Sequence, residues 1–211
     1  MIKAICWDLD GTLIDSNQVR TNGFKYIFKS FPENKVSRLI QYHKENGGLS
    51  RYHKINYFFK NILDIKIEEN NKRDYAIEYA NYMKQHLLNS SLKFCYTDRL
   101  LSHFKSYSQF LITASDEVEA KQVCGAIKID HFFNEIYGSP KTKEQNFQKL
   151  KVNMLKDFSE LVYIGDTVND FEVCKKLKIK FIGVNNPGLM KMTPNYLENN
   201  KELDSLRNIL N

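Results

Sequence analysis

Short apolar runs alternate with longer amphipathic segments along most of the chain, and this pattern is the first guide to its fold. Apolar runs of four to eight residues that are bounded by turn residues predict strands buried on both faces of a sheet. The predicted strands cover residues 2–7, 109–113, 136–137, 161–164 and 180–184, the last of these being the final strand. The predicted helices between them cover residues 97–107, capped by Thr97, a segment capped by Asp116, and residues 141–151 and 168–177. Strands that alternate with helices in this way predict an α/β fold, a parallel sheet with helices on both faces.

Between the first two strands the chain shows helical periodicity only. We predict four helices there: one capped by Ser16 or Asn17 and broken by Pro32, one over residues 33–45, one capped by Ser50, and one over residues 67–88. Gly47 and Gly48 are expected to end the second helix in the left-handed conformation that glycine adopts at little steric cost. We interpret residues 16–92 as an inserted helical subdomain, and residues 1–15 and 93–211 as the core domain.

Composition narrows the class of protein. The 211 residues, 42% hydrophobic and 27% charged, are typical of a globular protein. The net charge is +6, but no run of five or six basic residues marks a nucleic-acid-binding arm, so no nucleic-acid partner is expected. The four cysteines lack CxxC spacing and lie in apolar segments, which favours a reducing compartment. With no apolar run of signal-peptide or membrane-spanning length, we expect a cytoplasmic protein without a membrane partner, of undetermined oligomeric state.

Polar side chains follow three of the predicted strands where each strand ends. Parallel strands bring these ends to one edge of the sheet, which is where α/β proteins bind their ligands. Four carboxylates that converge there repel one another unless a cation or protons compensate them, and ligands that are all oxygen favour Mg²⁺. Gly11 and Thr12 form a turn whose backbone N–H groups can approach an anion. The polar pairs at the three ends are Asp8 and Asp10, Thr113 and Ser115, and Asp166 and Asp170.

Four segments of the chain, in this order, resemble the four motifs of the haloacid dehalogenase-like superfamily. The resemblance spans the whole predicted core and implies a Rossmann-like sheet. The helical insertion after the first motif is similar to the C1 cap of phosphoglycolate phosphatase-like members. This implies a Mg²⁺-dependent phosphatase whose partner is a small phosphorylated metabolite, such as a sugar phosphate or phosphoglycolate. The segments are Asp8-Leu9-Asp10-Gly11-Thr12, the strand end at Thr113, a lysine within residues 139–143, and Gly165-Asp166-Thr167-Val168-Asn169-Asp170.

The resemblance also implies a role for each motif residue. Asp8 would attack phosphorus and form an aspartyl-phosphate, and Asp10 would act as general acid and base. Mg²⁺ would be held by Asp8, the backbone carbonyl of Asp10, and Asp166, with Asp170 as a further ligand or as support for the others. The phosphate would be bound by Asp8, Gly11, Thr12, Thr113, Ala114 and the motif lysine.

Two sets of basic residues leave alternatives open. The motif lysine is either Lys143, which we favour, or Lys141, and the competing explanation for Lys143 is a solvated helix face. Arg51 and Lys54 lie three residues apart on the third predicted helix and can face the same direction. We hypothesise that they select the substrate through a remote anionic group, the alternative being a solvated basic face.

Rival functions remain within the same resemblance. A sugar phosphomutase shares these motifs, and a non-catalytic regulatory protein could keep the fold. Asp10 favours a phosphate ester as substrate, because superfamily members that act on halides or phosphonates lack this second aspartate. A regulatory protein would have no need of Asp10.

Overall fold

The computed structural model describes residues 2–154, 157–197 and 206, so the predicted end of the core domain at residue 211 lies outside the described residues. Within the described part, six strands form one sheet in the order β3-β2-β1-β4-β5-β6, and each neighbouring pair is parallel. This confirms the predicted α/β fold. The strands are β1 (Ala4–Trp7), β2 (Ser108–Asp116), β3 (Glu135–Ser139), β4 (Leu161–Gly165), β5 (Lys180–Val184) and β6 (Tyr196–Leu197).

The central position of β1 determines what surrounds its carboxyl end. All four residues of β1 are buried, as expected for a strand covered on both faces. Its last residue, Trp7, lies beside Leu111 of β2 and Ile164 of β4; β4 ends one residue further on, and β2 continues to Asp116. The prediction that β5 is the final strand is wrong, because β6 follows it. Two residues are too short a segment to show a hydrophobic period.

Helices cover both faces of the sheet. On one face, α5 and α6 pack against Trp7 and Leu111, and on the other, α7 and α8 pack against Cys6 and Phe110. The helices are α1 (Asn17–Ile27), α2 (Glu33–Glu45), α3 (Arg51–Tyr57), which continues as a π-helical turn (Phe58–Leu63), α4 (Glu69–Leu87), α5 (Thr97–His103), α6 (Glu117–Ala126), α7 (Lys143–Met154) and α8 (Val168–Leu177). Short 3₁₀ segments cover Ser90–Leu92, Asp130–Phe132, Phe158–Glu160 and Pro187–Lys191.

Helices α1 to α4 form the helical insert, which lies between β1 and β2 in the chain. Its interior is aromatic: Phe28 stacks within 4.1 Å of Phe58, and Phe24 lies 4.5 Å from Tyr79, measured between ring centroids. Such rings bury large apolar areas and provide the insert with an apolar interior between its helices. The chain enters and leaves the insert side by side, since the backbone N–H of Asp15 donates to the Leu92 carbonyl.

Two of the predicted helix caps make no capping hydrogen bond, although Ser16 does occupy the N-cap position of α1. Ser16 precedes α1 but makes no capping hydrogen bond, and its hydroxyl donates instead to Asp10. Thr97 is the first residue of α5 rather than its cap, and its hydroxyl donates to the Leu13 carbonyl at 2.7 Å. In both cases the hydroxyl donates to a tertiary acceptor instead of accepting from an N–H group in the first turn of its helix. The predicted caps Ser50 and Asp116 are confirmed, because their side chains accept from backbone N–H groups in the first turns of α3 and α6.

The prediction of left-handed glycines after α2 is also wrong. Among the described glycines, Gly11 alone has a positive φ. Gly47 and Gly48 serve a different purpose, which is close approach to the core. A Cβ on Gly48 would lie 2.7 Å from the Thr167 hydroxyl oxygen and 2.8 Å from the Asn169 Cβ. The loop after α2 therefore contacts the loop after β4, and only glycine fits between them.

Cysteine burial follows the apolar pattern in three of four cases. Cys6, Cys124 and Cys174 are buried, whereas Cys95 is exposed, contrary to its apolar sequence neighbourhood. None of the helices in the described ranges is both long and apolar enough to span a bilayer.

Candidate active site

The carboxyl ends of β1, β2 and β4 meet in one cavity of about 280 Å³. The cavity lies between this sheet edge and the helical insert. Of the residues predicted from the motifs, Asp8, Asp10, Thr113, Ala114, Lys143 and Asp166 line it, and Arg51 and Lys54 line it from the insert. The predicted convergence of three strand ends is therefore what the fold produces.

The turn after β1 requires glycine. Gly11 has φ +77°, and a Cβ at this position would lie 2.0 Å from the Oδ2 atom of Asp166. Its carbonyl accepts a hydrogen bond from Asn185 at 2.9 Å, which ties this turn to the loop after β5. The neighbouring Thr12 hydroxyl is buried and has no hydrogen-bond partner among the described residues. The turn therefore brings Asp166 against the backbone that follows Asp8.

Three carboxylates form a buried cluster beside this turn. Each of Asp8, Asp166 and Asp170 offers an oxygen, and these oxygens lie within 4.8 Å of one another. Burial, opposed by Lys143 and aided by the neighbouring carboxylates, raises the pKa of Asp8 to about 7, and the same influences raise the pKa of Asp166 well above its ordinary value. One oxygen of Asp166 is buried without a hydrogen-bond partner. Three carboxylates carry more negative charge than one neighbouring lysine can offset, and a cluster of oxygen ligands with one unpartnered oxygen fits a hard divalent cation.

Lys143 supplies the cationic side chain of this cluster. Its Nζ atom donates to Asp8 at 2.9 Å, to Asp170 at 2.5 Å and to the Tyr163 hydroxyl at 2.8 Å. It is 6% exposed, so the alternative of a solvated helix face is wrong. Burial opposes the charged form, but the two carboxylates outweigh it and raise the pKa of Lys143 above its ordinary value. Lys141 is exposed at the surface.

Asp170 is held by its own helix as well as by Lys143. With Thr167 it forms a capping box at the start of α8: the Thr167 hydroxyl and backbone N–H donate to Oδ2 of Asp170, at 2.7 Å and 3.2 Å. Its other oxygen accepts from Lys143. Both oxygens of Asp170 are therefore engaged in hydrogen bonds. This arrangement suits a residue that orients Lys143 and Thr167 more than it suits a metal ligand, which needs a free oxygen.

Asp10 points away from the carboxylate cluster toward the insert. Arg20 on α1 donates to both of its oxygens, Nε at 2.9 Å and Nη2 at 3.2 Å. The Ser115 hydroxyl donates at 2.5 Å, and the Ser16 hydroxyl also donates. Burial opposes ionisation, but Arg20 and the two serines outweigh it and lower the pKa of Asp10. The side chain of Asp10 is therefore a fixed, ionised carboxylate and is not part of the cluster.

Arg51 and Lys54 are both buried, so the alternative of a solvated basic face is wrong. Arg51 donates to Glu119 at 2.6 Å, and its guanidinium carbon lies 4.8 Å from the Tyr79 ring centroid. Lys54 donates to Nδ1 of His43 at 3.0 Å and to the Gly47 carbonyl at 3.1 Å. Burial, aided by nearby cations, lowers the pKa of Lys54 to about 7.

Thr113 and Ala114 lie at the end of β2 opposite Asp8. The Thr113 hydroxyl is buried and accepts a hydrogen bond from the Ser115 backbone N–H at 3.1 Å. It therefore also helps to fix the end of β2, which presents Ser115 to Asp10.

Sequence reasoning missed four residues of this site: Arg20, Glu119, Tyr163 and His43. Arg20 follows Ser16 by four residues and precedes Phe24 by four, so its place on the buried face of α1 was a usable signal. Glu119 lies in the first turn of α6, where an acidic residue is ordinarily explained by the helix dipole. Tyr163 lies inside an apolar strand, and His43 has no metal-ligand spacing. Only tertiary contacts identify these two.

The geometry can be compared with known proteins. A family model described as haloacid dehalogenase-like hydrolase matches residues 5–184. None of the curated proteins compared with the chain matches it. Three solved structures share its fold over nearly their whole length, with TM-scores of 0.77, 0.83 and 0.68.

The first is described as a predicted phosphatase from Clostridium acetobutylicum, is 23% identical, and the alignment covers 100% of this chain and 99% of that one. The second is β-phosphoglucomutase from Clostridium difficile, 18% identical, with 99% and 96% covered. The third is a HAD-type hydrolase from Bacillus subtilis bound to magnesium, 16% identical, with 100% and 99% covered. At these identities the structures establish the shared fold. Together with the family model over most of the chain, they show that this protein belongs to the haloacid dehalogenase-like hydrolases.

Proposed function

We propose that this hydrolase is a Mg²⁺-dependent phosphomonoesterase that acts on a small phosphorylated metabolite, such as a sugar phosphate or phosphoglycolate, through an aspartyl-phosphate intermediate. The observation that carries the proposal is the pair of strand-end carboxylates in unlike environments. Asp8 lies among carboxylates with Lys143, and Asp10 is held by Arg20 and Ser115. Asp8 thus lies beside a cation that can neutralise the phosphate, and Asp10 faces the insert, so the two carboxylates are placed for different roles in one reaction.

Asp8 is the proposed nucleophile. Its carboxylate oxygen attacks phosphorus, and the bond to the leaving oxygen breaks, which divides one difficult displacement into two easier ones. The attack brings an anion toward a phosphate dianion, so positive charge is needed at this point. Lys143, 2.9 Å from Asp8, provides part of it. The proposed phosphate contacts are Lys143, the Thr113 hydroxyl and the backbone N–H group of Ala114. Gly11 and Thr12 are not retained as contacts, because the Gly11 N–H donates to the Ile14 carbonyl at 2.8 Å and neither residue lines the cavity.

Asp8 and Asp166 are the proposed side-chain ligands of Mg²⁺, together with the backbone carbonyl of Asp10. The unpartnered oxygen of Asp166 supports this assignment. We assign Asp170 the supporting role, because Lys143 and Thr167 engage both of its oxygens. When bound, the ion supplies charge that offsets the carboxylates and polarises the phosphate.

Asp10 is the proposed general acid and base. Because Asp10 is ionised in the structure, it first takes up a proton, which the monoanionic form of the substrate phosphate can supply. It gives this proton to the leaving oxygen in the first step, and in the second it takes a proton from the water that attacks the aspartyl-phosphate, so protons balance over the cycle. Such a role typically contributes about 10²- to 10⁴-fold in rate. Arg20 and the two serines hold the carboxylate of Asp10 in one orientation, which favours proton transfer in one direction.

The helical insert is the proposed source of substrate selection. We retain residues 16–92 as one cap subdomain, supported by the adjacent entry and exit of the chain at Asp15 and Leu92. Arg51 and Lys54 reach the cavity from this side and are proposed to contact the leaving group. A cavity of about 280 Å³ suits a small metabolite rather than a nucleic acid or a membrane. The buried thiols of Cys6, Cys124 and Cys174 support a cytoplasmic location.

Release of inorganic phosphate from a panel of esters, with and without Mg²⁺, tests the proposal. The wild-type protein should release phosphate from at least one ester only with Mg²⁺, and Asp8→Asn should release none. Full activity of Asp8→Asn, or no release from any ester by the wild type, would reject it.

A phosphomutase is the second candidate, favoured by the structural likeness to β-phosphoglucomutase at a TM-score of 0.83. A mutase would interconvert sugar phosphates in the presence of a bisphosphate primer and release little phosphate. A non-catalytic regulatory protein would do neither, and the elaborate hydrogen bonding of Asp10 has no explanation in that case.

A further inference from the structure

Two arginines of the helical insert share one carboxylate of the core. Glu119, on α6, accepts from Nη1 of Arg20 through one oxygen and from Nη2 of Arg51, at 2.6 Å, through the other. Glu119 is 8% exposed, Arg20 6% and Arg51 5%. Charges this deeply buried are stable only when they are paired. Glu119 is therefore the partner on which the buried charge of Arg51 depends.

The buried charges on the side of the cavity that faces the helical insert cancel. Arg20 and Arg51 bring two positive charges, and Asp10 and Glu119 bring two negative ones. Lys54 is the remaining buried cation of the insert among the cavity-lining residues described, and its contacts are the neutral His43 ring and the Gly47 carbonyl. Burial disfavours its charged form. The side of the cavity that faces the leaving group therefore offers little uncompensated positive charge.

Glu119 acts from behind the arginines. Arg20 and Arg51 line the cavity, and Glu119 does not. A leaving group can meet the N–H groups of Arg51 without contacting Glu119, and within the described residues only Nη2 of Arg51 has a hydrogen-bond partner. Neutral hydroxyl oxygens can accept from the other N–H groups. An added carboxylate or phosphate would instead compete with Glu119 for charge that is already compensated.

We propose that Glu119 is a specificity-determining residue: by neutralising Arg20 and Arg51, it restricts the cavity to phosphate esters whose leaving group is uncharged and bears hydroxyls, and it disfavours leaving groups with a carboxylate or a second phosphate. This inference rests on the proposed function and narrows its substrate class. Phosphoglycolate becomes a poor substrate, and sugar monophosphates become the preferred class.

The test compares two esters of similar size, 2-hydroxyethyl phosphate and phosphoglycolate, in which a hydroxymethyl group in the first takes the place of the carboxylate in the second. The ratio of kcat/KM for phosphoglycolate to that for 2-hydroxyethyl phosphate should be below one in the wild type. Glu119→Gln should raise this ratio at least tenfold, because a buried arginine then lacks its anion. Glu117→Gln removes a charge from the same helix at a site paired with the exposed Lys121, and it should leave the ratio unchanged.

Arg51→Gln is the second variant, which serves if Glu119→Gln does not fold. It leaves an excess negative charge and should lower the ratio at least threefold, and combining both substitutions should return the ratio to the wild-type value. An unchanged ratio in folded Glu119→Gln, an unchanged or raised ratio in Arg51→Gln, or a wild type that prefers phosphoglycolate would overturn the inference.

Binding measurements separate this inference from the proposed function. The probes are the stable phosphonates phosphonoacetate and 2-hydroxyethylphosphonate, titrated calorimetrically with Mg²⁺ present. If the wild type hydrolyses no ester, the proposed function fails. A tenfold gain in affinity of Glu119→Gln for phosphonoacetate alone would still support the role of Glu119 in excluding a charged leaving group. An equal effect on both probes, or binding of neither probe to either protein, overturns it.

Discussion

Arg20 contacts both oxygens of Asp10, with Nε 2.9 Å from Oδ1 and Nη2 3.2 Å from Oδ2. A planar guanidinium that meets a carboxylate through two N–H groups fixes its orientation as well as its charge. Arg20 lies in the insert and Asp10 in the core, so the position of the first insert helix and the orientation of the proposed acid and base are linked.

Arg20→Lys tests this link, since it keeps the charge and removes the two-point contact. We expect kcat to fall about 10- to 100-fold, part of what a general acid and base contributes, with little change in KM. Steady-state kinetics on the best substrate of the panel, with circular dichroism to verify folding, provides the measurement. Lys25→Arg, the reverse exchange on the exposed side of α1, is the control. An unchanged kcat in Arg20→Lys would show that orientation of Asp10 does not limit the reaction.

Mg²⁺ is expected to stabilise the folded protein. At about a hundredfold excess over Kd, a ligand that binds only the folded state adds about 2.7 kcal/mol, which for a chain of this size raises Tm by about 5 to 10 °C. Asp166→Asn should remove most of this increase, because it replaces the carboxylate that carries the unpartnered oxygen. Thermal unfolding followed by circular dichroism, with NaCl at equal ionic strength as the control, measures it. An equal increase in Asp166→Asn would argue against this site.

Gly48→Ala should weaken the contact between the insert and the core. The added Cβ would lie 2.7 Å from the Thr167 hydroxyl oxygen, and overpacking of this kind costs about 1 to 3 kcal/mol. Gly125→Ala is the matched control, because a Cβ there has nothing within 4 Å and the site is helical. The control should gain about 0.5 to 1 kcal/mol. Urea unfolding of both variants gives the comparison, and equal stabilities would contradict the close approach.

Lys54 makes stability depend on pH. Its pKa is about 7 in the folded protein and near 10.5 in an unfolded chain, so burial of the charged form destabilises the protein. The destabilisation has its full size below pH 7 and declines as the pH rises from 7 to 10.5. Between these pH values the unfolded state binds more protons than the folded state, so the stability increases with pH. Lys54→Met should therefore stabilise the protein more at pH 6 than at pH 9.5. Urea unfolding at both pH values, with the exposed Lys60→Met as control, checks this; a pH-independent difference would count against it.

Arg51→Ala should impair the recognition of the leaving group and leave the chemistry intact. Loss of hydrogen bonds to a neutral leaving group corresponds to about 0.5 to 1.5 kcal/mol, so KM for a sugar phosphate should rise about 3- to 10-fold. Methyl phosphate, which has no group to reach Arg51, should show a smaller change. Equal effects on the two esters would mean that Arg51 serves the fold rather than selection.

The sequence by itself determined the strand-helix order and the chemistry at the strand ends. Helices 33–45 and 168–177 and strand 180–184 were predicted with the bounds that the structure has, because their signals are local: hydrophobic period, turn residues and helix breakers. Asp8, Asp10, Thr113 and Asp166 could be found in the same way, since each ends a buried apolar run. Parallel strands then necessarily bring them to one edge.

Tertiary structure alone decided which polar groups meet across elements. Lys141 and Lys143 have the same composition around them, and the packing of α7 against the sheet buries only the second. Ser16 and Thr97 looked like caps because capping is local, yet distant acceptors at Asp10 and Leu13 took their hydroxyls. Glu119 meets Arg20 and Arg51 across about 70 to 100 residues of chain, a separation at which hydrophobic periodicity carries no information. The sequence therefore specified the proposed reaction centre at Asp8 and Asp10, and the packing of the insert on the core specified the charges that line the cavity from the side of the insert.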